Sequence, residues 1–203
     1  MSGKGREDNR RIHVYYAPLC ENTEIPLTSP LRQAEIDSIS NERVRLEKYS
    51  AWRLLEYGVR AAFGIELEAL HPKKSDVGRW ECDKIHFSIS HSGALVAVAV
   101  SCEPVGIDIQ EVRDIRDGLV EKILTEGERS TYNGGTEEII TLWTKKEAVF
   151  KLLGERYFHP SAIDSSLHPT FTTTLNMADE SYIMSVAFSK EGTPRVSIEN
   201  MSR

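Results

Sequence analysis

The stretch IHFSISHSGALVAVAVS, residues 85–101, constrains the fold more than any other part of the chain. Its hydrophobic period is two: Phe87 and Ile89 point one way while His86, Ser88 and Ser90 point the other, as on a β-strand. HSG at 91–93 can close a hairpin, with Gly93 supplying a positive φ. ALVAVAVS then returns as a second strand of small and β-branched residues, which predicts a central, buried hairpin.

The rest of the chain is read around that hairpin. IHVYYAPL at 12–19 is a first strand that stops at Pro18, and a loop follows to about Pro30. Leu31, Ala34, Ile36 and Ile39 mark a short helix. Val44, Leu46, Trp52, Leu54, Leu55 and Val59 mark a longer one that ends near Gly64. Residues 71–83 read as a loop. VGIDIQ at 105–110 alternates strictly, sending Val105, Ile107 and Ile109 to the core and Gly106, Asp108 and Gln110 to the opposite face. A turn at NGG, 133–135, precedes a helix from about Glu137 to Leu153. TFTTTLNM, SYIMSVAFS and PRVSIEN follow as β segments, with turns around 178–180 and at KEGTP.

A helical block followed by strands therefore occurs twice, at 31–63 with 86–101 and at 119–153 with 170–198. No residue-level repeat accompanies it. The expected organisation is α+β in two similar halves, 12–103 and 104–203, behind a charged, disordered tail at 1–11.

Composition narrows the function. A chain of 203 residues with 40% hydrophobic and 28% charged residues can bury a core unaided. Its net charge of -6 argues against coating nucleic acid or anionic membrane. Cys20, Cys82 and Cys102 form no CxxC pair, which fits a reducing compartment and makes the cytoplasm the expectation. The opening MSGKGREDNRR lacks the apolar core of a signal peptide, and ALVAVAV is too short to span a bilayer.

Three places carry chemistry. Asp108 is an acid on a strand of buried character, so a cation or hydrogen-bond donors must compensate it; backbone N–H groups in a turn would suffice. Glu147 and Lys151 lie one helical turn apart in a row with Trp143, beside the stripe of Ile139, Leu142, Val149, Phe150 and Leu153. Alone they make an ordinary i,i+4 pair, contributing about 0.2–0.5 kcal/mol. His91, at the hairpin tip, could touch a phosphate or be turn chemistry. Arg43, Arg45, Lys48, Arg53 and Arg60 make the second helix the most cationic stretch, which by itself is a solvated face.

In order and spacing, FSISHSG, VGIDI and WTKKEAVFK resemble the signature set of the surfactin-type 4′-phosphopantetheinyl transferases, and GRW at 78–80 sits where that family has GKP. The resemblance covers about 43–155. It implies two pseudo-two-fold related α/β halves with the active site in the cleft between them, while the length and the two halves favour a monomer. It implies Mg²⁺ held by Asp108 and Glu147, coenzyme A as substrate, and a serine of an apo acyl or peptidyl carrier protein as acceptor. Glu147 would be the base and Lys151 would neutralise the leaving adenosine 3′,5′-bisphosphate. Ser90 and His91 would meet a coenzyme A phosphate, Arg43 and Arg53 the 3′-phosphate, with Arg79 at the GKP-like position. Glu128 would lie near the pantetheine pocket.

One residue departs from the pattern. Many members carry a second acid two residues after the first, whereas this chain has Gln110, so the metal shell would be completed by Gln110 or by water, with Glu111 on the wrong face. Because carrier proteins are usually acidic, docking on an acidic transferase would use a local apolar patch with a few basic residues. Two rivals stand beside this reading. One is a coenzyme A-binding protein of the same fold with impaired catalysis. The other is a hydrolase using Ser90 or Ser92, His91 and Asp108, for which no G-x-S-x-G elbow is present.

Overall fold

The computed structural model describes residues 11–21, 23–115, 117–189 and 195–201. The elements run β1 (Arg11–Pro18), α1 (Pro30–Asp37), α2 (Glu42–Phe63), β2 (Lys73–Lys74), β3 (Trp80–Glu81), β4 (His86–Ser92) and β5 (Leu95–Ser101). They continue with β6 (Val105–Glu111), α3 (Asp117–Ile123), α4 (Glu126–Arg129), α5 (Thr136–Leu153), β7 (Thr170–Met177), β8 (Glu180–Phe188) and β9 (Arg195–Asn200). Two compact units result, Met1–Glu103 with Pro194–Arg203, and Pro104–Thr193.

The first unit is built on a four-stranded sheet in the order β4-β5-β1-β9. The β4–β5 hairpin turns at Gly93, whose φ is 53°. Every residue of β5 is buried, since α2 lays Trp52, Leu55 and Val59, each 0% exposed, into one core with Val96, Val98 and Val100. Each such side chain contributes roughly 1.5–3 kcal/mol on leaving water. Asn41 caps α2 by accepting from the Val44 N–H, and Gly64 ends it at a φ of 67°. Phe87 and Ile89 pack against that core from one face of β4, as the alternation predicts, while Ser88 and Ser90 are buried on the other.

Two further differences have clear causes. Residues 71–83, expected as a loop, contain the short β2–β3 pair. Glu35 ties that pair to α1, accepting from Lys74 at 2.5 Å, from the Trp80 indole at 3.1 Å and from Arg32 at 2.6 Å. Arg32 is itself buried, its guanidinium 5.0 Å and 5.6 Å from the ring centroids of Trp52 and Trp80. Second, the half expected to run from 104 to 203 does not keep its last strand, because β9 pairs in parallel with β1. Arg11, placed in the expected tail, already belongs to β1. The rest of that tail and the expected KEGTP turn lie outside the described residues.

The second unit has a three-stranded antiparallel sheet, β6-β8-β7, with α5 packed across it. β7 and β8 meet at the expected turn, with Ala178 at a φ of 49°. Residues Val105–Ile109 of β6 are buried on both faces. The face opposite Ile107 is closed by α5: a Cβ on Gly106 would lie 2.0 Å from the Ala148 carbonyl oxygen and 2.6 Å from the Leu152 nitrogen. Only a glycine lets helix and strand approach so closely. Thr144 on α5, Ser185 on β8 and Thr172 on β7 then form a hydroxyl chain at 2.8 and 2.9 Å.

Candidate active site

The second unit brings two of the expected residues, Asp108 and Lys151, into contact. β6 presents Gly106, Asp108 and Gln110 to α5, and the close approach at Gly106 brings Lys151 onto Asp108. Lys151 Nζ donates to Asp108 Oδ1 at 2.8 Å and to the Ile107 carbonyl at 2.9 Å. The cation demanded by the burial of Asp108, which is 6% exposed, is thus an ammonium on the facing helix.

Helix and strand run antiparallel across each other. Gly106 lies against Ala148 and Leu152, Asp108 against Lys151, and Gln110 lines a groove with Trp143 and Ile140. Half-buried Glu147, one turn before Lys151, therefore falls between the levels of Asp108 and Gln110. Asp108, Glu147 and Gln110 supply only oxygen donors, the set a hard divalent cation takes, so these residues fit Mg²⁺. Among the described residues no group of three His, Cys, Asp or Glu gathers.

The groove beyond Gln110 measures about 940 Å³ and includes Arg113, Lys122, Leu119 and Ile115. Glu111, expected to face away, lines it too. Trp143 stacks edge-on against Phe158 at 5.2 Å.

Lys146 was missed by the sequence reading. It is 0% exposed and donates to Glu128 Oε2 at 2.6 Å, to the Ile123 carbonyl at 2.9 Å and to the Pro160 carbonyl at 3.0 Å. Glu128 also closes a capping box with Thr125 at the start of α4. The signal was present: Lys146 occupies a position in the stripe of Ile139, Leu142, Val149 and Leu153 where an apolar residue belongs, so a cation there needs a built receptor.

On the first unit, Arg43 and His91 come together across Glu47. Arg43 Nε donates to Glu47 Oε1 at 2.8 Å, His91 Nδ1 lies 3.6 Å from Glu47 Oε2, and Arg43 Nη2 donates to the Gly93 carbonyl. Arg53 is not part of this cluster; it pairs at 3.0 Å with Glu56, a buried acid that also accepts from the Thr28 amide and hydroxyl at 2.7 Å. Arg79 sits in the β2–β3 turn, its amide donating to the Ser75 hydroxyl at 3.2 Å. Asp108 is engaged by Lys151, and His91 Nδ1 faces Glu47.

Cys20, Cys82 and Cys102 are free thiols. No helix among the described residues is long and apolar enough to cross a membrane.

Residues 104–197 match the 4′-phosphopantetheinyl transferase superfamily, and the match contains Asp108, Gln110, Glu147 and Lys151. The matched segment is similar to that superfamily, and its relatives are of the surfactin type. The 4′-phosphopantetheinyl transferase gsp of Aneurinibacillus migulanus is 34% identical over 94 residues, which cover 43% of this chain and 40% of the relative. The 4′-phosphopantetheinyl transferase psf-1 of Bacillus pumilus is 37% identical over 75 residues, covering 34% and 32%. The 4′-phosphopantetheinyl transferase Sfp of Bacillus subtilis (strain 168) is 28% identical over 100 residues, covering 46% and 45%. The matched part spans less than half the length of each of these relatives.

Proposed function

We propose that the chain transfers the 4′-phosphopantetheine group of coenzyme A to a serine of an apo carrier protein. The observation that carries this is the contact of Lys151 with Asp108, with Glu147 one turn away on the same helix, inside the region that matches the superfamily. In this reading the serine Oγ forms a bond to the pantetheine-bearing phosphorus, and the pyrophosphate P–O bond breaks. Adenosine 3′,5′-bisphosphate leaves.

Glu147 takes the serine proton, and its half-buried position keeps it within the site. Lys151, its ammonium fixed by Asp108 and the Ile107 carbonyl, holds positive charge where the leaving phosphate oxygen develops its negative charge. Mg²⁺, held by Asp108, Glu147 and Gln110 or a water in its place, would supply further charge neutralisation at the pyrophosphate. Catalysis is then mainly positioning and electrostatics, as in other phosphoryl transfers. The groove beside Gln110, with Leu119 and Ile115 among Arg113 and Lys122, offers the apolar and basic surface suited to an acidic carrier.

The two units share a plan, a long helix on a β-sheet, and we take them as pseudo-two-fold related halves of a cytoplasmic monomer. In this reading coenzyme A lies in the cleft between them, with its 3′-phosphate on the first half and the metal and catalytic residues on the second.

The test is the intact mass of apo-acyl and apo-peptidyl carrier proteins incubated with this chain, coenzyme A and Mg²⁺. One added phosphopantetheine, lost in Glu147→Ala and Lys151→Ala, is expected. No addition despite coenzyme A binding would replace this reading with the non-catalytic binder.

A further inference from the structure

The polar groups at the β4–β5 turn are gathered by a residue to which the sequence assigned no role. Glu47, on α2, has a side chain only 17% exposed and engages Arg43 with one oxygen and His91 with the other. Arg43, whose side chain is 54% exposed, would otherwise sample many rotamers. Its bonds through Nε to Glu47 and through Nη2 to the Gly93 carbonyl fix the guanidinium plane beside the imidazole.

We propose that Glu47 is a positioning residue that holds Arg43 and His91 as a single receptor for the 3′-phosphate of coenzyme A, an inference that rests on the coenzyme A reading above. Glu47 touches no substrate atom in this role. It acts by ordering a flexible arginine before the ligand arrives, so that less conformational entropy is lost on binding. The carboxylate thereby sets a guanidinium and an imidazole side by side. A phosphate monoester, with several acceptor oxygens, suits two such donors. The groups suited to the reacting pyrophosphate, Asp108, Glu147 and Lys151, all belong to the second unit, which leaves this pair for the phosphate remote from the reaction.

The experiment compares transfer kinetics of the unaltered chain, Glu47→Ala and Glu47→Gln with coenzyme A and with 3′-dephospho-coenzyme A. Glu47→Ala is expected to raise KM for coenzyme A roughly tenfold, the scale of one charge-assisted hydrogen bond, with kcat within about twofold. That penalty should vanish with 3′-dephospho-coenzyme A. Glu47→Gln, isosteric and still able to accept from Arg43, should recover most of the affinity, and it carries the test if the alanine variant does not fold. An unchanged KM, or an equal penalty with both substrates, overturns the role of Glu47 alone. Failure of the unaltered chain to bind coenzyme A overturns both this role and the function on which it rests.

Discussion

Lys151 and Asp108 face each other across the α5–β6 contact, 2.8 Å apart, in a pair whose acid is the more deeply buried member. Removing the lysine strands the carboxylate in a place that water scarcely reaches. Lys151→Met should cost about 2–3 kcal/mol of stability, below the full figure for a buried pair because Lys151 is 23% exposed. Adding Asp108→Asn should restore much of that loss. Urea denaturation of the single and double variants reads the difference; equal losses would show that the two residues are not coupled.

A larger effect is expected one residue before Glu147. Lys146 is fully enclosed, and Lys146→Met leaves Glu128 and two carbonyls without their donor, at a cost of about 3 kcal/mol or more. Because Glu128 also caps α4, the loss should show as early exchange of amide hydrogens around 125–129. Unchanged exchange there would mean that Lys146 does not hold that segment.

Gly106→Ala drives a methyl group into helix backbone, not into a movable side chain. It should destabilise the second unit by roughly 3 kcal/mol or prevent its folding. A thermal melt within a degree or two of the unaltered chain would refute the close approach of β6 and α5.

Glu35 gives the chain a dependence on acid. Burial tends to raise its carboxyl, but hydrogen bonds from Lys74 and Arg32 and their charges more than reverse this, holding it at about 2. Its folded pKa is depressed, so its stabilisation is complete above the usual value of 4.5 and is lost as pH falls from there to about 2. With partial exposure, the contribution is roughly 1–2 kcal/mol. Stability curves of the unaltered chain and Glu35→Gln should converge across that window; parallel curves would exclude the effect.

Gln110→Glu restores a third acid beside Asp108. On the proposed mechanism it should lower the Mg²⁺ concentration needed for half-maximal transfer several-fold. An unchanged requirement would place Gln110 outside the metal shell.

Much of this architecture is local and was therefore legible. The period-two run at 86–101, the glycines that end α2 and α5, and the row of Glu147 and Lys151 follow from neighbours a few residues apart. What escaped was non-local. Nothing in VYYAP or RVSIEN announces a parallel pairing between them. The sequence marks Asp108 as needing a cation, but only the approach at Gly106 selects Lys151 for it. Arg53 reads as a free cation on a basic helix until Glu56 is seen to be buried beside it. Glu47 looked like one more charge on a solvated helix, since its partner His91 belongs to a distant strand.

The pairing of β9 with β1 also bears on how the chain is made. The edge of β1 that β9 covers stays open until residues 195–200 have emerged from the ribosome, whereas the β6-β8-β7 sheet has all its strands once Phe188 has emerged. The unit that carries Asp108 and Lys151 can thus close before β9 sets.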